Sequence, residues 1–208
     1  MAGARNPSTA SNAQILCDRQ RMQFAASKIT LSTVGPDPET FQRLAGMKGT
    51  LAFSLHSADD RIRKYLVPTT KHSVLELREG LIQALLSRES IRTRTIMIAC
   101  TLINGVNDGA EDAHKLAEYC QPFKDAGIKV ALDLIPYNDI SKSMPHLSFE
   151  TSPAPNVQKF SDILREHEFF ASVRMPRGDD ENAACGMLAR PKRLKQGNNK
   201  IGLEFESI

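Results

Sequence analysis

The chain has 208 residues, 41% of them hydrophobic, enough for one core of ordinary size. A net charge of +3 and a pI near 8.7 permit contact with a polyanion without demanding it, since dedicated nucleic-acid modules are usually more basic. No apolar run approaches the ~20 residues that span a bilayer. Four scattered cysteines are too few for a disulfide scaffold, so the expected setting is a reducing compartment and no membrane.

Residues 1–27 begin polar, rich in Ala, Ser and Asn, with no apolar h-region of a secretory signal and faintly the acid-poor composition of a transit peptide. From there strand-like and helix-like patterns alternate. Lys28–Ser32 reads as a strand, Pro38–Met47 as a helix entered through Asp37-Pro38, and Thr50–Ser54 as a second strand. Ser73-Val74-Leu75-Glu76 is a capping box, followed by apolar residues at helical spacing at 74, 77, 81 and 85. Ile96–Ile103 is a third strand, Asp112–Ala126 a helix, Lys129–Ile135 a near-continuous apolar strand, Asn156–Glu166 a helix and Phe169–Met175 a last strand. Such alternation indicates right-handed βαβ units and a mostly parallel sheet. Four or five strands cannot close an eight-stranded barrel, which takes about 250 residues. Residues 145–155, with three prolines, read as a loop between core and C-terminal lobe, and 190–208 as a basic tail.

In parallel sheets and barrels, ligands sit at the C-terminal ends of the strands. Ser32 ends the first strand, Ser54, Leu55 and His56 end the second, and Asn138 follows the fourth. Each alone reads first as a turn former or a satisfied structural residue. Together they offer hydroxyl, imidazole and amide groups that could hold a zwitterionic amino acid and a nucleoside. Asn107-Asp108-Gly109 reads as a turn, with Asp108 capping the next helix. Cys100 and Cys120 read as packing residues, and Cys17 has no partner. Arg174 and Arg177 could contact phosphate or pair with Asp179 or Asp180. Cys185 stands between Ala183, Ala184 and Gly186, which leave its sulfur little cover. Arg177 favours its thiolate, while Asp179, Asp180 and Glu181 oppose it, so a reactive thiol and a small buried residue both fit.

The run from Arg177 to Leu188, Arg-Gly-Asp-Asp-Glu-Asn-Ala-Ala-Cys-Gly-Met-Leu, resembles the C-terminal signature of the dual-specificity RNA methyltransferases. Four more segments match in the same order: Lys28-Ile29-Thr30-Leu31-Ser32-Thr33-Val34-Gly35, Phe53-Ser54-Leu55-His56, Gly105-Val106-Asn107-Asp108-Gly109 and Leu134-Ile135-Pro136-Tyr137-Asn138. The resemblance spans Lys28 to Ala189 and implies an α/β fold: an incomplete radical S-adenosylmethionine (radical SAM) partial (β/α)6, TIM-like barrel over 28–140, with a small C-terminal lobe over 141–189. It implies a SAM-dependent radical methyltransferase of adenine C2 in 23S ribosomal RNA and in transfer RNA, located in the cytoplasm or alternatively in a plastid or other organelle.

By that resemblance Cys185 is catalytic: it takes a methyl from SAM and, as a methyl thioether, passes it to the RNA. Ser32, Ser54, Leu55, His56 and Asn138 form part of the SAM site. The family's [4Fe-4S] cluster is held by a Cys-x3-Cys-x2-Cys triad upstream of all matched segments. Cys17, Cys100, Cys120 and Cys185 contain no such spacing, and 1–27 contains no counterpart of the family's SAM-binding Gly-Glu pair. The chain thus reads as the family's C-terminal half, with no metal ligands of its own. It is expected as part of a truncated or split gene with a separate N-terminal half, or as an inactive remnant that binds RNA or SAM. A different α/β enzyme using Cys185 as nucleophile would need a histidine beside it; the nearest in sequence, His167, belongs to a helix pattern.

Overall fold

A computed structural model of the protein describes residues 15–18, 20–138 and 149–174. Five strands, β1 (Thr30–Thr33), β2 (Thr50–Ser54), β3 (Thr95–Leu102), β4 (Lys129–Pro136) and β5 (Phe170–Val173), form one sheet in the order β1-β2-β3-β4-β5 with every pair parallel. Helix α1 (Pro38–Ala45) joins β1 to β2. Helices α2 (Asp60–Leu66) and α3 (Val74–Leu86) lie between β2 and β3, α4 (Ala110–Asp125) between β3 and β4, and α5 (Ala154–Glu166) between β4 and β5. Sequential parallel order with right-handed crossovers places every helix on one face of the sheet, the geometry of a partial barrel. Of the expected 141–189 lobe, the described part, α5 and β5, continues this same sheet. Among the described residues no helix is long and apolar enough to cross a membrane.

Local sequence explains most of the boundaries. The Asp37 carboxylate accepts from the Thr40 N–H at 2.7 Å, starting α1 with proline in its first turn. Ser73 and Glu76 form both halves of the capping box at α3. One expectation needs correction, and one helix has no counterpart in the sequence pattern. Asp108 does not cap α4: the cap position is Gly109, whose N–H is taken by Asp112 at 3.2 Å, and Asp108 is committed elsewhere. The seven-residue α2 carries no pattern that periodicity detects, because its buried position belongs to a charged residue, Arg63.

The sheet has two unlike faces. Burial alternates along β3, with Ile96, Ile98, Cys100 and Leu102 buried against the helices. By register they sit beside Leu51 and Phe53 of β2 and Leu132 and Leu134 of β4, and the core fills with Phe41, Leu77, Leu81, Leu116, Phe123, Phe160 and Leu164. The opposite face carries small and polar side chains. One row holds Ser32, Ala52, Met97, Ala131 and Phe170; the next, nearer the C-terminal ends, holds Ser54, Ala99, Asp133 and Ser172.

Candidate functional site

Ser32 and Ser54 project from adjacent strands onto this open face, one row apart. Strand spacing and rise put that diagonal at ~8 Å. Ser32 is exposed and Ser54 half-buried. The first motif's Gly35 is required where it stands: its φ is +60°, and a Cβ there would lie 2.6 Å from Phe41 Cζ and 2.7 Å from Phe53 Cε2. The β1 exit therefore closes tightly onto the core just beyond Ser32.

The β2 exit is held by several side chains. His56 adopts a left-handed conformation, φ 63°, uncommon for a residue with a Cβ. Its Nδ1 accepts the Thr101 N–H of β3 at 3.2 Å, which leaves Nε2 to carry the ring proton. Burial, reinforced by the nearby Arg63 cation, pushes its pKa down to about 4, so the ring is a neutral N–H donor at neutral pH. Asn107 secures the turn: its amide donates to the His56 and Thr101 carbonyls, each at 2.7 Å, while its Oδ1 accepts from the Ile103 N–H at 2.8 Å. Asp108 fastens the same loop to α5, accepting from Gly105 N–H, Ser152 Oγ and Asn156 Nδ2. The Asn-Asp-Gly segment is thus structural, as its turn chemistry suggests, but it acts by supporting His56.

The other expected residues fall in different places. Leu55 is fully buried in the core, with its N–H bonded to Ala99 and its carbonyl accepting from Arg63, so it offers a ligand no side-chain contact. Asn138 is exposed two residues past β4, on the same C-terminal side as Ser54 and His56. None of the expected residues that the structure describes falls at the N-terminal end of a strand. Cys185 and Arg177, with Asp179 and Asp180, lie outside the described residues.

Two residues of this region carry little sequence signal. Asp133 is 7% exposed on the open face and pairs with Arg174 just past β5, a partner on β4 that the sequence pattern does not name. A lone carboxylate in the apolar run Lys129–Pro136 is the one hint. Arg63, 1% exposed, sends its guanidinium to backbone carbonyls at both the β1 and β2 exits. A cleft of about 490 Å³ between α2, α3 and α4, lined by Asp59, Arg78, Lys115 and Tyr119 among others, shares no residue with this site.

The small residues Ala52, Ala99 and Ala131 leave room over the sheet beside the two serine hydroxyls. The His56 ring stands at the strand end, bordering a small hollow on the helix side with Cys100, Asn107, Leu116 and Phe160. Hydroxyls with an imidazole at the adjoining strand end suit a ligand carrying both a nucleoside and an amino acid. The described cysteines do not suit an iron–sulfur cluster. Cys100 and Cys120 are buried on the helix side, and burial pushes the Cys100 thiol up to about 12 and Cys120 well above the usual thiol range, whereas a ligand must be a thiolate. Among the described residues no group of three or more His, Cys, Asp or Glu could hold a metal ion.

No family model matches the chain. It is 36% identical over 182 residues to the dual-specificity RNA methyltransferase RlmN of a Marinomonas species, covering 87% of this chain and 46% of that protein. It is 30% identical over 193 residues to the RlmN of Ruegeria pomeroyi, covering 92% and 47%. The crystal structure of a radical SAM methyltransferase from Sphaerobacter thermophilus matches with a TM-score of 0.75 and 30% identity, over 88% of this chain and 50% of that one. The chain spans about half the length of the curated relatives it matches, and it belongs to the dual-specificity RNA methyltransferase family.

Proposed function

We propose that the chain is the C-terminal, methyl-carrying half of a radical SAM enzyme that methylates adenine C2 in ribosomal and transfer RNA. The observation that supports this best is the register placing Ser32 and Ser54 on one open sheet face, beside the neutral, backbone-anchored His56. SAM, when bound, supplies an electrophilic methyl on a sulfonium. Ser32 and Ser54 would hold its polar groups by their hydroxyls, His56 by its Nε2–H, and Asn138 by its amide. Leu55 would act only by seating the turn that carries its two neighbours. Cys185 would accept the methyl as a thiolate and carry it to the RNA as a thioether. The [4Fe-4S] cluster implied by the resemblance finds no ligand set among the described residues, so its ligands would come from the family's upstream half.

An upstream half, on the same polypeptide or a separate one, fits the surface better than an isolated remnant does. Phe170 is 71% exposed on the open face, and among the described residues β1 and β5 are the edge strands of the sheet. The test combines the chain with an N-terminal half from a relative and follows labelled methyl transfer from SAM to a 23S RNA fragment. The expected result is transfer that Cys185→Ala abolishes and Cys100→Ala leaves intact, with one extra methyl on the Cys185 peptide by mass spectrometry. Full transfer by Cys185→Ala would end the assignment.

A further inference from the structure

Pairing between β1 and β2 stops at Thr33↔Phe53, and Ser54 is paired only to Ala99 of β3. Beyond that point the two strand exits, Val34-Gly35 and Ser54-Leu55-His56, share no ladder hydrogen bond. Arg63 of α2 fills the gap. Its Nη2 donates to the Val34 carbonyl at 2.6 Å, and its Nη1 donates to the carbonyls of Ser54, at 3.1 Å, and Leu55. The guanidinium lies over the Phe53 ring, 4.9 Å from its centroid. It is 1% exposed, makes no ion pair among the described residues, and its Nε has no hydrogen-bond partner there. A buried cation without a carboxylate is costly, and holding α2 down would need only an apolar side chain. The fixed fork of arginine, by contrast, reaches carbonyls of two strand exits at a set spacing and orientation, which the freely rotating point donor of lysine does not fix and a hydrocarbon cannot bond at all.

We infer that Arg63 is a positioning residue of the rim: one guanidinium sets the distance and orientation between the β1 exit behind Ser32 and the β2 exit that carries Ser54 and His56. It touches no ligand. It acts through the carbonyls of Val34, Ser54 and Leu55, so that two serines on separate strands present their hydroxyls as one surface. The consequence for binding rests on the reading of this rim as a SAM site.

The experiment uses the 208-residue chain and its Arg63→Lys and Arg63→Met variants, with S-adenosylhomocysteine as probe. Binding is followed by NMR titration, together with thermal melting, amide hydrogen exchange and the titration of His56. Arg63→Lys should remain folded, lose at least tenfold in probe affinity, and exchange faster at Gly35 and Leu55 while Leu77 and Leu81 in α3 stay protected. Arg63→Met should in addition raise the His56 pKa, because the neighbouring cation is gone, whereas Arg63→Lys, which keeps a cation there, should leave it near the wild-type value. A rise in both variants would report loosened burial of the ring instead of lost positioning charge. If Arg63→Met unfolds, Arg63→Lys decides. Wild-type exchange at the rim and probe affinity within twofold in a folded variant would overturn the proposal. If the wild-type chain does not bind the probe at all, the cofactor reading of the rim falls. Rim exchange and His56 titration then decide Arg63 alone: altered values uphold its positioning role, and unchanged values end it.

Discussion

The two faces of the sheet are built from the same strands yet answer to different demands. On the helix face Leu51, Phe53, Ile96, Ile98 and Leu134 are fully or almost fully buried, and close packing leaves little room for change. On the open face the same strands present Ser32, Ser54, Ala99, Asp133 and Ser172, whose small size and polarity contribute little to a core. The contrast shows where the chain secures its stability and where it keeps chemistry available. The site margin depends on the helix face only through a few buried polar anchors, Arg63 and Asn107 above all.

The strongest way to break the contrast is on the helix side. Phe53→Ala removes a ring stacked edge-on against Phe41 at 5.1 Å and beneath Arg63. It should cost about 3–5 kcal/mol in urea unfolding. A loss below ~1 kcal/mol would mean that the core is far looser than its burial indicates. Next comes an anchor between the faces. Asn107→Ala strands the Ile103 N–H and the carbonyls of His56 and Thr101. We expect a loss of about 2–3 kcal/mol and a disturbed His56 environment by NMR.

The pH dependence sharpens the comparison further. Between about 4, the folded pKa of His56, and its ordinary 6.5, the unfolded chain binds a proton that the folded chain refuses. Stability therefore rises with pH through this window, is fully present above 6.5, and is lost as pH falls toward 4. The change should be roughly 3 kcal/mol, and His56→Gln should flatten it. Asp37 and Asp59, desolvated but held below the usual range by hydrogen bonds, lose their contribution only at lower pH. Asp112, raised by burial, opposes the trend at the acid end of the window, so the difference between wild type and His56→Gln is the quantity to read. The smallest effect belongs to the open face. Ser54→Ala should change stability by no more than about 0.5 kcal/mol. It should still weaken S-adenosylhomocysteine binding by roughly three- to tenfold, the worth of one hydrogen bond. A stability loss as large as that of Phe53→Ala would erase the distinction between the faces.

Local chemistry alone determined much of this protein. The span Thr50–Ser54 is the same in pattern and structure, and the other four strands differ by a residue or two at their ends, because alternation and apolar runs are written in neighbouring residues. The capping box at Ser73 and the buried positions 74, 77, 81 and 85 follow from side chains within a few residues of each other. Ser32, Ser54 and His56 came to notice through short motifs at strand ends, and the burial of Cys100 and Cys120 agrees with their apolar surroundings. What only the tertiary structure decided joins residues far apart in the chain. Asn107 reaches the carbonyl of His56, Arg63 reaches that of Val34, and Asp133 reaches Arg174. No local pattern announces a buried arginine in a seven-residue helix, or that Leu55 inside a site motif belongs to the core. Such residues are placed by unsatisfied backbone carbonyls and by register between strands, and both exist only once the parallel sheet has formed.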